Sequence, residues 1–118
     1  MDPRLEHGIH CFNTHQFFVC HEVLEEIWTP ERGARRLFLQ AVIHFAVAFY
    51  HDQRGNPVGA SRQLRKGLRK LAPYLPACEG IDTAQLYRDG LAAVERTEAG
   101  AALGSYPRIQ LVQTARAV

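Results

Sequence analysis

Apolar residues recur at three- and four-residue spacing along most of the chain, and no strand-like alternation is sustained before the last segment. A short first helix is predicted over about residues 3–11. Asn13 then reads as an N-cap with Gln16 as its capping-box partner, and Phe12 and Phe17 flank it as a hydrophobic staple. A second helix follows to Trp28, where "TPERG" breaks it, because Pro30 disfavours helix at Thr29. The third helix covers about 34–53 and stops at Gly55, a natural C′ residue. Asn56 and Pro57 open the fourth as cap and first residue. That helix reaches about Leu71 with Leu64, Leu68 and Leu71 on one face, and "APYLPACEG" after it is a loop. Asp82 and Gln85 repeat the capping-box pattern, with Ile81 and Leu86 as staple, and a fifth helix runs to about Ala99. The tail 101–118 is weakly patterned and is expected either to pack as extended chain or to fray. The pattern predicts one all-α domain over 1–118, a bundle of about five helices around an antiparallel hairpin of the second and third.

The third helix is the unusual one. Leu37, Phe38, Leu39, Ala41, Val42, Ile43, Phe45, Ala46, Ala48, Phe49 and Tyr50 point in nearly every direction, as in a buried helix. One narrow stripe is polar: Arg36, Gln40, His44, His51 and Arg54, interrupted by Val47. So much apolar surface suggests a homodimer completing the burial of this helix, two-fold dimers being the commonest assembly.

Composition narrows the classes. A chain of 118 residues, 47% hydrophobic and 22% charged, has room for one core without disulfide or metal support. A net charge of +2 gives no global electrostatic case for nucleic acid or an anionic membrane. Cys11, Cys20 and Cys78 are odd in number and form no C-x-x-C pair, which suits free thiols in a reducing cytosol. The start "MDPRLEHGIH" is not patterned as a signal peptide, and "AVIHFAVAFY" is too short for a membrane span, so a cytoplasmic location is expected.

The candidate chemistry lies in "CHEVLEEIW". His21 sits at the edge of the apolar face of the second helix, with Glu25 one turn on and Glu22 further out. Antiparallel pairing brings His21 to the level of Gln40, Ala41 and His44, and Glu25 to that of Arg36. This predicts one polar cluster of His21, Glu22, Glu25, Arg36, Gln40 and His44. Its leading interpretation is a buried structural network with a Glu25–Arg36 ion pair, and no cofactor. The rival is a divalent-metal hydrolase in which His21, Glu25 and His44 are ligands and Glu22 is the general base. It departs from the zinc-protease motif, which needs histidine at position 25. On the fourth helix Arg62, Arg65, Lys66, Arg69 and Lys70 stand without an intervening acid, a possible anion-binding face. No aromatic is interleaved there, so a solvated face is preferred to a nucleic-acid site.

"FNTHQFFVCHEVLEEIW", "RLFLQAVIHFAVAFYH" and "RGNPVGA", in that order over about residues 8–75, resemble a small prokaryotic family, domain of unknown function family 309. Phe12, Asn13, Phe17, Phe18, His21, Glu22, Leu24, Glu25 and Trp28 match its first motif, and Arg36, Phe38, Leu39, Gln40, Tyr50, His51, Gly55, Asn56, Gly59 and Ala60 the later ones. His15 replaces a usual glycine, Val19 a glutamate and Cys20 an alanine. The resemblance implies an all-α fold and no particular reaction. The expectation is a small cytosolic protein- or anion-binding or scaffolding module.

Overall fold

A computed structural model describes residues 1–112. Five α-helices follow in order: α1 (Pro3–Asn13), α2 (Phe17–Trp28), α3 (Arg36–Gln53), α4 (Pro57–Leu71) and α5 (Thr83–Glu98), with a single 3₁₀ turn, Ala72–Tyr74, after α4. Consecutive helices pack on one another, and α3 lies between α2 and α4. The predicted all-α bundle is what forms.

Three of the helix starts are side-chain capped. Asp2 Oδ1 accepts from the Arg4 N–H at 2.9 Å, Asn56 Oδ1 from Gly59 at 2.9 Å and Asp82 Oδ1 from Gln85 at 2.9 Å. Gly55 sits at φ +71° just past α3, the left-handed position foreseen for it. The Asn13–Gln16 capping box does not form. Asn13 is the last residue of α1, and Gln16 precedes α2 without a side-chain cap. The Asn13 amide instead clamps the tail: its Nδ2 donates to the Ile109 carbonyl at 3.0 Å, and its Oδ1 accepts from the Ile109 N–H at 2.7 Å. The staple pair does meet, Phe12 and Phe17 packing edge to face at 5.2 Å.

The apolar faces of α3 are covered inside one chain: Phe38, Leu39, Ala41, Val42, Phe45, Ala46, Ala48 and Phe49 are all buried. The surface counted on for a dimer through α3 is therefore already occupied, and α3 meets solvent mainly along its polar stripe. Leu37, in the first turn of α3, is the apolar exception and is 48% exposed. Glycines set the closest crossings. A Cβ on Gly67 of α4 would stand 3.2 Å from the Ala41 carbonyl oxygen and 3.3 Å from the His44 Cβ, and one on Gly90 of α5 would lie 2.7 Å from the Phe45 ring. Beyond α5 the chain is extended through Val112. Leu111 bridges Ile81, and the buried Asp52 carboxylate accepts from the Leu103 N–H at 3.1 Å and from the Tyr106 hydroxyl at 2.6 Å. Residues 113–118, the end of the predicted tail, lie outside the described residues. Among the described residues no helix is long and apolar enough to cross a membrane.

Candidate functional site

The polar stripe of α3 forms the floor of an open groove between α2 and α4. Its polar half has a volume of about 230 Å³ and is lined by His21, Glu25 and Trp28 from α2, Gln40, Ile43, His44 and Val47 from α3, and Gln63 from α4. A second, apolar half of about 190 Å³ adjoins it, lined by Phe17, Phe18, His21, Val47, Tyr50 and His51. His21 and Val47 belong to both. The antiparallel hairpin thus brings His21, Glu25, Gln40 and His44 to one solvent-connected place, as the facing levels predicted.

The bonds within it differ from those expected. His21 Nε2 pairs with Glu25 Oε1 at 3.0 Å. Arg36 makes no ion pair with Glu25. Its guanidinium donates to the carbonyls of Trp28 and Glu31, both at 2.7 Å, and lies over the Trp28 ring at 4.1 Å. A cation is well placed there, because the last carbonyls of α2 are unsatisfied within the helix and carry its negative dipole end. Arg36 therefore fastens the α2–α3 turn. The cluster is half-buried rather than buried, since among the described residues no element covers the gap between α2 and α4; Glu22 is exposed and lines neither half of the groove.

His44 turns toward α4. Its Nδ1 is 2.7 Å from Gln63 Oε1 and its Nε2 is 2.8 Å from Lys70 Nζ. An ammonium can only donate, so Nε2 must accept. The ring is then the neutral Nδ1–H tautomer, and Gln63 Oε1 accepts from it. Gly67 makes this possible: without a side chain it lets α4 close on His44, with Gln63 one turn before and Lys70 one turn after. Burial pulls the His44 imidazole below its ordinary range. The Gln63 hydrogen bond opposes this, and the charges of Lys70, Lys66 and Arg69 add to it. A histidine held neutral in the fold stabilises it fully above its unfolded value of 6.5, and that contribution is lost as pH falls below 6.5. His44→Gln is expected to remove this component: urea midpoints measured between pH 8 and 5 should fall less in the variant than in wild type. Parallel curves would show that His44 does not titrate in this way.

Among the described residues, no group of three or more His, Cys, Asp or Glu is gathered closely enough to hold a metal ion. His21 and Glu25 are joined to each other, while both ring nitrogens of His44 are engaged on the α4 side. His51 lines the apolar half of the groove, and Asn56 serves as the cap of α4. The five basic residues of α4 divide. Arg62, Lys66 and Arg69 are exposed, Arg65 pairs with Glu98 of α5, and Lys70 folds inward onto His44. Two contributors escaped the sequence reading. Gln63 falls between Gly59 and Gly67 on the face that α4 turns to α3, and that spacing was its only signal. Phe18 was visible only as a motif residue, yet it is 50% exposed and packs on Tyr50 at 5.4 Å.

Comparison with known proteins agrees with the resemblance. The uncharacterized protein YpuF of Bacillus subtilis (strain 168) is 38% identical over 77 residues, covering 62% of this chain and 44% of that protein. The chain thus spans less than half the length of that relative. The family model described as "Domain of unknown function (DUF309)" matches residues 5–63, half of the 118-residue chain, from α1 to the Gln63 that holds His44, and the protein belongs to that family.

Proposed function

We propose that the protein is an anion-binding module whose site is the polar half of the α2–α3–α4 groove. One observation carries this: Lys66, Arg69 and Lys70 gather positive charge beside that half, Lys70 against the lining residue His44, and none of the three pairs with an acid among the described residues. The Lys70 ammonium rests on a neutral imidazole, and the charges acting on it come from Arg69 and Lys66, both positive. Burial, followed by those two neighbours, lowers the Lys70 pKa, so its charged form is held against opposition that an anion would relieve. Neutral donors support the same reading. Gln63 uses its oxygen on His44, which leaves its NH₂ for a ligand, and Gln40 has no side-chain hydrogen bond among the described residues. The one carboxylate at the groove, Glu25, is already joined to His21.

Calorimetric titration with acetate and with inorganic phosphate at low ionic strength tests the assignment. Saturable binding is expected, weakening as salt is added. Lys70→Met should lower the affinity at least about tenfold, the loss of one charge-assisted contact. Arg62→Ala, remote from the groove lining, should change it little. Absence of saturable binding, or equal affinity in wild type and Lys70→Met, would remove the assignment.

A further inference from the structure

The two halves of the groove are one trough. They share His21 and Val47 as walls. Gln40, His44, Val47 and His51 follow one another along α3 at the three- and four-residue steps that keep side chains on one face. From Gln40 to His51 the floor runs roughly 16 Å at 1.5 Å per residue. Its ends differ in character. At one end Gln40 and Gln63 line the space beside His44, and Lys70, outside the lining, touches that ring at 2.8 Å from Nε2. The buried indole N–H of Trp28, in the wall there, has no hydrogen-bond partner. At the other end the half-exposed Phe18 ring stands 5.4 Å from Tyr50 and 5.8 Å from His21, leaving apolar surface open to water.

We infer that the trough binds a small amphiphilic carboxylate, with its head group at the Gln40 and Gln63 amides and the Trp28 indole N–H and its alkyl chain over Val47, Phe18 and Tyr50. The inference rests on the anion-binding reading and extends it to a ligand class. Glu25 lines the trough and Lys70 is the one cation in contact with a lining side chain among the described residues, so each added negative charge is opposed and a monoanion is favoured over a dianion. The dimensions favour a chain over a macromolecular element. Halves of about 190 and 230 Å³ cannot seat a helix of roughly 10–12 Å diameter, but they can hold a flexible alkyl chain lying along α3.

Trp28 is the only tryptophan and forms part of the trough wall, so its fluorescence reports occupancy. Calorimetry run in parallel detects binding to which Trp28 is silent. The full chain is titrated with acetate, butyrate, hexanoate and octanoate below its micellar concentration, and with octanol. Full burial strengthens binding about fourfold per methylene, and a half-open trough about twofold, so octanoate should bind at least about 60-fold more tightly than acetate. Octanol, lacking the charge, should bind at least about tenfold more weakly than octanoate. Phe18→Ser should flatten the chain-length series, octanoate losing more affinity than acetate; Tyr50→Ser provides the same test if the first variant folds poorly. Equal affinities for acetate and octanoate, or for octanol and octanoate, overturn the amphiphile inference. In the first case, acetate binding that is lost in Lys70→Met leaves the anion site standing. No binding of any carboxylate overturns both.

Discussion

Replacing Phe49 with alanine is expected to destabilise the protein by about 3–5 kcal/mol, the usual cost of emptying a phenylalanine site in a core. Phe49 is fully buried, and its ring contacts four others: Phe12 at 5.7 Å, Phe17 at 5.4 Å, Phe45 at 6.4 Å and Tyr106 at 5.5 Å. These rings come from α1, α2, α3 and the extended tail, so the cavity would open where separate segments meet. No single neighbour can close it by changing rotamer. Against a typical total stability of about 5–15 kcal/mol, the loss is large enough for part of the population to unfold at 37 °C. Urea unfolding followed by circular dichroism measures it. Phe18→Ala on the half-exposed neighbouring helix is the control, expected to cost about 1 kcal/mol or less. A Phe49→Ala midpoint within error of that control would mean that the ring cluster is not a unit.

Helices were legible in the sequence because local chemistry dictates them. The three-to-four spacing, Asn56 with Pro57, Asp82 before Gln85, and Gly55 at its positive φ all act within a few residues. Asn13 was misread because its partner lies 96 residues away: no local pattern distinguishes an amide that caps the next helix from one that clamps Ile109. His15 did carry a readable signal. Its φ is +63°, a conformation that glycine adopts without the Cβ penalty, and the family pattern has glycine there. The histidine ring offsets that cost by packing against Phe17 at 5.8 Å and Tyr106 at 5.3 Å.

For the candidate site, the facing levels of α2 and α3 were legible: of the six residues expected to cluster, His21, Glu25, Gln40 and His44 line one groove, while Glu22 and Arg36 do not. The direction of each hydrogen bond was not. A pairing rule for two helices cannot say that a third will approach. It is Gly67 that admits α4 and transfers His44 from the expected ligand set to Gln63 and Lys70. Arg36 followed the same logic. Charge complementarity suggested Glu25, but the Trp28 carbonyl at the end of α2 and the Glu31 carbonyl in the turn after it take the guanidinium.

Asp52→Ala is expected to cost about 2–4 kcal/mol and to loosen the tail, because it strands two donors that a charged acceptor now satisfies. Asp52 lies three residues beyond Phe49, so its carboxylate emerges on the apolar face of α3, where the extended tail crosses it. Only 8% exposed, it accepts from the Leu103 N–H and the Tyr106 hydroxyl and so joins the end of α3 to two points of that segment. Tyr106→Phe should cost less, about 1–2 kcal/mol, since its ring still packs on Phe17 at 5.1 Å and only one hydrogen bond is lost. The double variant should cost less than the sum of the two, because the second substitution removes a donor already stranded by the first. Additive losses would show that the two groups are energetically independent. An alkaline arm tests the same bond. Burial, then the hydrogen bond to Asp52 and its charge, raises the Tyr106 pKa above its ordinary value of 10. A phenol held neutral in the fold contributes stability that is complete below pH 10 and is lost as pH rises above it. Wild type should therefore lose more stability than Tyr106→Phe between pH 9 and 11. If the tail is held by this carboxylate, Asp52→Ala should also speed amide hydrogen exchange at Leu103 and Ile109, while exchange in the interior of α3 should rise only as far as the loss of global stability requires. Unchanged protection at Leu103 would mean that the segment is secured by its other contacts, the Asn13 clamp and the bridge to Ile81.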